Sequence, residues 1–144
     1  MRLSQNFTLN ELTYSDTASR LGIKNLPTQE VIQNLGALVQ NVLQPLRDML
    51  GKPITITSGF RNKLLNQKVG GASNSQHLFG QAADIIVYGM KVEDLYNYIK
   101  NSNLIYDQLI LEETKNNKWV HISYCRKFNR KQNLIFKNNK YTKD

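Results

Sequence analysis

The first half of the chain carries the hydrophobic spacing of helices. Apolar residues between positions 31 and 50 recur mostly at steps of three and four, which predicts the longest helix of the protein. Thr28 is its predicted N-cap, and Gly51 is predicted to end it. Pro45 lies inside the pattern and should kink or divide the helix, because proline lacks a backbone N–H. Capping residues predict two shorter helices ahead of it: Thr8 with Glu11, and Ser15 with Gly22.

The second half of the chain has the pattern of strands. Alternating or β-branched segments predict five strands: residues 53–57, 82–88, 107–112, 118–124 and 133–137. A helix is predicted among them over residues 91–100, where the apolar residues fall on one face. This order of elements suits an α+β fold, in which helices pack on one face of a small, mostly antiparallel sheet.

The composition excludes several classes of protein. The chain has 144 residues, the length of about one domain, and 40% of them are hydrophobic, which is enough for a core. One cysteine and two histidines can supply neither an internal disulfide nor a structural zinc finger. No segment approaches the roughly 18 apolar residues that cross a membrane. The N-terminus lacks an apolar segment of signal-peptide length, so we expect no signal peptide.

The positive charge is concentrated near the C-terminus. The formal net charge is +8, and residues 126–144 carry seven basic side chains against Asp144 alone. We therefore expect residues 1–125 to form a single domain and residues 126–144 to be a basic C-terminal extension packed on it. Such a run of basic residues indicates either a polyanionic partner or an ordinary solvated tail. Nucleic acid is the less favoured partner, because no helix-turn-helix, RNP-like or zinc-finger pattern is present.

Both histidines and one aspartate are candidates for a metal site. Asp84 lies in an apolar predicted strand, where an unpaired carboxylate would be costly, and His77 precedes it by seven residues. His121 lies in a second predicted strand, and Glu112 should lie beside it if the hairpin pairs closely. A hydrolytic zinc site needs about three such ligands and a general base. Ordinary roles explain the same residues, since strand histidines are often hydrogen-bonded core residues and such aspartates often form ion pairs.

Residues 75–84 read SQHLFGQAAD and match the SxHxxGxAxD motif of the D-alanyl-D-alanine carboxypeptidase family of zinc peptidases. The preceding ITSGFRNKLLNQKVGGASN and the later QLILE and WVHIS are similar to one subgroup of that family. The resemblance covers roughly residues 5–125. It implies a fold related to the hedgehog signalling domain, and zinc (Zn2+) as the cofactor.

The resemblance also implies roles for individual residues. The zinc ligands would be His77, Asp84 and His121. Many members of the family place an acidic general base three residues before the last ligand, but Lys118 occupies that position here. The subgroup places the acid on the preceding strand, which points to Glu112 as general base, with the adjacent Glu113 as the alternative.

Two further residues align with positions that bind substrate in the family. Arg61 corresponds to an arginine that contacts substrate and stabilises the oxyanion. Ser75 corresponds to the motif serine that hydrogen-bonds substrate. Outside the resemblance, Arg61 could equally pair with a helix carboxylate, and Ser75 could be a plain turn residue. The implied mechanism is metal-assisted amide hydrolysis.

The implied function is zinc-dependent hydrolysis of a peptide bond in peptidoglycan stem peptides, by a D-Ala-D-Ala carboxypeptidase or an endolysin-type peptidase. We expect a monomeric phage or prophage product, made in the bacterial cytoplasm and acting at the cell wall. Its basic extension would contact anionic cell-wall polymer, and neither a specific nucleic acid nor a membrane is expected as a partner. The alternative is a catalytically inactive cell-wall-binding or virion structural module with the same fold, which Lys118 leaves open.

Overall fold

Six strands form one mixed sheet in the computed structural model, which describes residues 1–144. The strands are β1 (Thr55–Ser58), β2 (Ala82–Ile86), β3 (Gln108–Glu113), β4 (Lys118–Ser123), β5 (Gln132–Lys137) and β6 (Lys140–Lys143). Their order in the sheet is β1-β2-β4-β3-β5-β6. Neighbouring strands are antiparallel except β3 and β5, which run parallel. The predicted α+β class is therefore confirmed.

Six α-helices accompany the sheet. They are α1 (Leu9–Thr13), α2 (Asp16–Leu21), α3 (Gln29–Leu38), α4 (Gln44–Leu50), α5 (Lys63–Lys68) and α6 (Val92–Lys100). Thr8 and Glu11 form the predicted capping box, and the side chains of Ser15 and Thr28 cap α2 and α3 as predicted. Gly51 ends α4 in the left-handed conformation. None of these helices is long and apolar enough to cross a membrane.

Pro45 divides the predicted long helix. Residues Val39–Leu43 form a π-helical turn between α3 and α4, and the Gln44 N–H donates to the carbonyl of Val39, five residues back. Pro45 follows in the first turn of α4. Because proline donates no hydrogen bond and its ring crowds the preceding turn, the wider turn replaces the regular α-helical hydrogen bonds at this point.

One face of the sheet packs against the helices and forms the core. Leu109 of β3 and Val120 and Ile122 of β4 join a cluster of 22 buried residues that includes Leu35 of α3 and Leu95 of α6. Burying each such side chain contributes about 1.5–3 kcal/mol to folding. The residues that alternate with them along β3 and β4 point to the opposite face, which the helices leave open.

Residues 126–144 extend the same sheet. β5 pairs with β3, and β6 pairs with β5 as the edge strand. Asn138 and Asn139 connect the two strands with φ values of 55° and 58°, which asparagine tolerates in two-residue hairpins. The sequence predicted β5 but not β6. The expected boundary at residue 125 falls between β4 and β5 of one sheet, and the division into two units stays a prediction.

An ion pair with a buried carboxylate fixes the start of this C-terminal segment. Arg130 donates to Asp107 from Nε (2.9 Å), Nη2 (2.7 Å) and its backbone N–H (3.0 Å), and Gln76 Nε2 donates to the same carboxylate at 3.0 Å. Asp107 is 2% exposed. The hydrogen bonds from Arg130 outweigh the burial of the carboxyl and lower the pKa of Asp107 to about 2. Arg130 therefore has a structural role, although its own side chain is half exposed.

Asp107→Asn should lower the free energy of unfolding by about 2 kcal/mol near neutral pH, because the Arg130 guanidinium loses its charged partner. Since folding lowers this pKa, the stabilisation is present above the ordinary aspartate pKa of about 4 and is lost as the pH falls toward about 2. Urea unfolding of both proteins should show a difference about 1 kcal/mol smaller at about pH 3 than at about pH 7. A difference that stays constant would contradict this role.

Candidate active site

Strand pairing brings Asp84 and His121 together on the open face of the sheet. Asp84 of β2 and His121 of β4 are direct cross-strand partners, so their side chains point the same way. His77 lies in the short 3₁₀ turn Gln76–Phe79, immediately before β2. Gly80 ends that turn with φ 72°, and a β-carbon there would lie 2.8 Å from a carbonyl oxygen of α3. Glycine therefore lets the chain pass directly from His77 into β2.

The three side chains meet at one point. His77 Nε2 lies 3.3 Å and His121 Nδ1 lies 3.1 Å from Asp84 Oδ1. One ligand atom from each residue lies within 4.8 Å of the other two, and all three residues are at most 8% exposed. Tetrahedral zinc binds such ligands at about 2.0–2.2 Å, which separates them by about 3.3–3.6 Å. The donor set and its spacing therefore fit zinc.

The Gly59 carbonyl sets the orientation of His77. It accepts a hydrogen bond from His77 Nδ1 at 2.7 Å. Because a carbonyl only accepts, Nδ1 carries a proton, and Nε2, which points toward Asp84, is the nitrogen left to bind a metal. The position requires glycine, since a β-carbon at Gly59 would overlap the Leu12 carbonyl. That carbonyl in turn accepts the Phe60 N–H at 2.7 Å, which holds α1 against the end of β1.

Gly59→Ala should weaken zinc binding by about 10- to 100-fold, because relief of the overlap with Leu12 displaces the carbonyl that orients His77. Competition against a chromophoric chelator measures this affinity. Gly36→Ala is the matched control, because a β-carbon at Gly36 meets nothing within 4 Å. Equal zinc affinities of the two variants would show that the Gly59 carbonyl has no such role.

The two imidazoles keep Asp84 ionised. Burial by itself disfavours the charged carboxylate, but the charges and hydrogen bonds of His77 and His121 outweigh it and hold the pKa of Asp84 well below its usual value. The two histidines thus offset the cost of burying the Asp84 carboxylate in an apolar strand. It is available as an anionic ligand at neutral pH.

Glu112 lies beside the cluster, as the hairpin geometry predicted. Its Oε1 is 3.6 Å from His121 Nδ1. Burial of the carboxyl, reinforced by the charge of Asp84, raises the pKa of Glu112 to about 7, although His121 and Arg61 oppose the shift. A carboxyl poised near neutrality can both accept and return a proton, which is what a general base must do.

Glu113 and Lys118 are directed away from the cluster. They are cross-strand partners, and Lys118 Nζ lies 3.3 Å from Glu113 and 2.7 Å from Glu93 of α6. Lys137 Nζ lies 3.6 Å from the other oxygen of Glu113. Of the two adjacent glutamates, the structure therefore brings only Glu112 to the candidate metal ligands. The lysine at position 118 does not enter the site.

Arg61 and Ser75 both lie at the edge of the cluster. Arg61 Nε is buried without a hydrogen-bond partner. Burial lowers the pKa of Arg61, and the charges of Asp84 and Glu112 oppose that shift, so its guanidinium is within electrostatic reach of both carboxylates. Ser75 Oγ accepts the His77 N–H at 3.2 Å and caps the 3₁₀ turn. The contact of either side chain with substrate stays a prediction.

The three candidate metal ligands line a cleft of about 610 Å³, together with Glu112, Arg61 and Ser75. The loop before the 3₁₀ turn and the β5–β6 hairpin both line it. The sequence did not predict the contribution of the hairpin, whose lining residues are Leu134, Phe136 and Tyr141. Alternation over residues 132–137 was a signal that Leu134 and Phe136 share a face. It carried no information on which strand they would pair with.

Comparison with known proteins gives two matches. A family model described as Peptidase M15 matches residues 5–123. The zinc D-Ala-D-Ala carboxypeptidase of Streptomyces albus G is 54% identical over 44 residues, which make up 30% of this chain and 17% of that protein. This second match therefore covers only a small part of the relative's own length. β5 and β6 lie beyond the residues that the family model matches.

Proposed function

The chain belongs to the peptidase M15 family, as the motif resemblance predicted, and from this premise we propose that it is a zinc-dependent peptidase acting on peptidoglycan stem peptides. The observation that carries the proposal is the convergence of His77, Asp84 and His121 in an open cleft, with Glu112 beside them. Two neutral imidazoles and one carboxylate leave a fourth position of tetrahedral zinc for water or substrate. That arrangement is typical of catalytic rather than structural zinc sites.

Each of several side chains in the cleft has a separate role in amide hydrolysis. A bound zinc ion supplies a Lewis acid and lowers the pKa of water to about 7. Glu112 accepts the proton of the attacking water and returns it to the leaving amine. Arg61 stabilises the negative charge that develops on the carbonyl oxygen. The hydrogen bond from His77 to the Gly59 carbonyl keeps the imidazole in place throughout.

The alternative of an inactive module receives less support from the site. It rested on Lys118, which stands where many relatives have an acid. Lys118 is paired with Glu93 and Glu113 outside the cleft, while Glu112 supplies a carboxyl from the neighbouring strand. A carboxyl therefore lies beside the candidate ligands even though position 118 carries a lysine.

Mass spectrometry of muropeptides tests the proposal. Purified sacculi are incubated with the zinc-loaded protein and with its His77→Ala variant, and new amines and released peptides are identified. We expect products from the wild type alone, and their masses identify the cleaved bond, whether that of a carboxypeptidase or an endopeptidase. Zinc binding without any product would favour the inactive wall-binding or virion module.

We further propose that the protein acts at the cell wall as a monomeric phage or prophage product, with its C-terminal residues near anionic wall polymer. Arg130 and Lys137 already pair with carboxylates of the sheet, so the exposed lysines Lys127 and Lys140 are better placed for such a contact. Sedimentation with sacculi in the same incubation measures it, and the bound fraction should fall as salt rises.

A further inference from the structure

A row of four side chains crosses the open face of the sheet next to the metal-ligand cluster. Trp119 of β4, Glu112 of β3, Phe136 of β5 and Tyr141 of β6 are successive cross-strand partners, so all four point to the same face. All four line the cleft. The row begins beside His121 and ends at the edge of the sheet, and its last two members lie outside the family match.

The aromatic members of this row are not explained by the core. The rings of Phe136 and Tyr141 are in contact, with centroids 4.6 Å apart, yet Tyr141 is 56% exposed. Neither belongs to the main hydrophobic cluster. Paired aromatic rings left open to a cleft are typical of a binding surface.

Two polar atoms of the row have no partner within the protein. Trp119 Nε1 is buried without a hydrogen-bond acceptor, although buried indole nitrogens usually have one. No hydrogen bond of the Tyr141 hydroxyl is formed within the chain, and burial together with the charges of Glu112 and Asp84 raises the pKa of Tyr141. The phenol is therefore protonated at neutral pH and lines the same cleft as these carboxylates. Both groups are donors, and a peptide backbone supplies acceptors.

The length of the row sets the length of the ligand. From β4, which carries His121, to β6 there are three strand intervals of about 4.8 Å, or about 14 Å. An extended peptide advances about 3.4 Å per residue, so this distance corresponds to about four residues. A dipeptide bound at the ligand cluster would not reach Tyr141.

We infer that the β5–β6 hairpin is a substrate-binding element, in which Phe136 and Tyr141 hold the part of an extended stem peptide that lies three to four residues from the scissile bond. The Tyr141 hydroxyl donates a hydrogen bond to that peptide, and the two rings pack against it. This inference rests on the proposed function, and it names the ligand class as a peptide of at least four residues. Phe136 and Tyr141 are then specificity-determining residues of this chain, supplied from outside the residues common to its family model.

Peptide binding to a zinc-loaded Glu112→Gln background, in which hydrolysis is suppressed, tests the inference. The probes are a stem pentapeptide and the two dipeptides from its ends, measured by calorimetry. We expect Tyr141→Ala to weaken pentapeptide binding about ten-fold and Tyr141→Phe, which keeps the ring, about three-fold. Binding of the dipeptide that occupies the ligand cluster should change less than two-fold in both. Tyr88→Ala, at a residue 80% exposed and outside the cleft, is the matched control.

The possible results separate the two proposals. Pentapeptide affinities that are equal in Tyr141→Ala and Tyr88→Ala would overturn the inference, as would an equal loss for the pentapeptide and for the dipeptide that occupies the ligand cluster. The Tyr141→Phe variant keeps the hairpin packing, so its selective loss cannot come from unfolding. Failure of the proposed function looks different, because the wild type would then release no amine from sacculi and none of the probes would bind.

Discussion

Glu112→Gln should lower kcat by about 10²- to 10⁴-fold while zinc affinity stays within about two-fold of the wild type. The amide has the same shape as the carboxyl but cannot accept a proton from water. Glu112 lies 3.6 Å from His121 and is absent from the set of three converging ligand residues, so its replacement should leave the metal site intact. Steady-state hydrolysis of a stem peptide and zinc competition by a chelator are measured on the same preparation.

Glu113→Gln is the matched control for this prediction. Glu113 is the adjacent residue on β3, and it pairs with Lys118 and Lys137 away from the cleft. We expect its replacement to leave kcat within about two-fold and to lower stability by no more than about 1 kcal/mol, as is usual for exposed ion pairs. Should Glu113→Gln abolish activity while Glu112→Gln retains it, the general base would be Glu113.

The local elements of the fold were readable from the sequence because their determinants are local. Thr8, Ser15 and Thr28 cap their helices through hydrogen bonds that reach only three residues along the chain. The hairpin of β3 and β4 could be predicted equally well, because a short polar turn fixes its register. The same hairpin places Glu112 near His121, as the sequence predicted.

The rest of the site depends on contacts between distant segments, which the sequence pattern does not encode. The direct pairing of Asp84 with His121 joins strands that are separated by α6 and β3. The parallel pairing of β3 with β5 has no turn to fix it and depends on the Arg130–Asp107 ion pair and the packing of Leu134. The charge pattern has the same limit, since it does not show that the half-exposed Arg130 pairs with the buried Asp107.

Asp84→Ala should weaken zinc binding by more than about 100-fold and abolish peptide hydrolysis. Its carboxylate is the one anionic member of the converging set, and Asp84 Oδ1 lies within 3.3 Å of both histidine ligand atoms. Losses of about 10- to 100-fold are typical when a residue that merely orients a ligand is removed, so loss of the ligand itself should exceed them. The remaining His77 and His121 offer only two ligands, too few for a catalytic zinc site.

Loss of the ligand must be distinguished from loss of the fold, because Asp84 lies in a central strand. Asp84→Asn keeps the volume and the strand pairing but replaces the anionic oxygen by a neutral amide, so it should fold normally and still bind zinc poorly. Asp94→Ala removes an exposed carboxylate of α6 and should leave zinc affinity unchanged. Circular dichroism and chelator competition together check all three variants. Wild-type zinc affinity in a folded Asp84→Asn protein would mean that the ion is held by other groups, and the ligand set would then have to be reassigned.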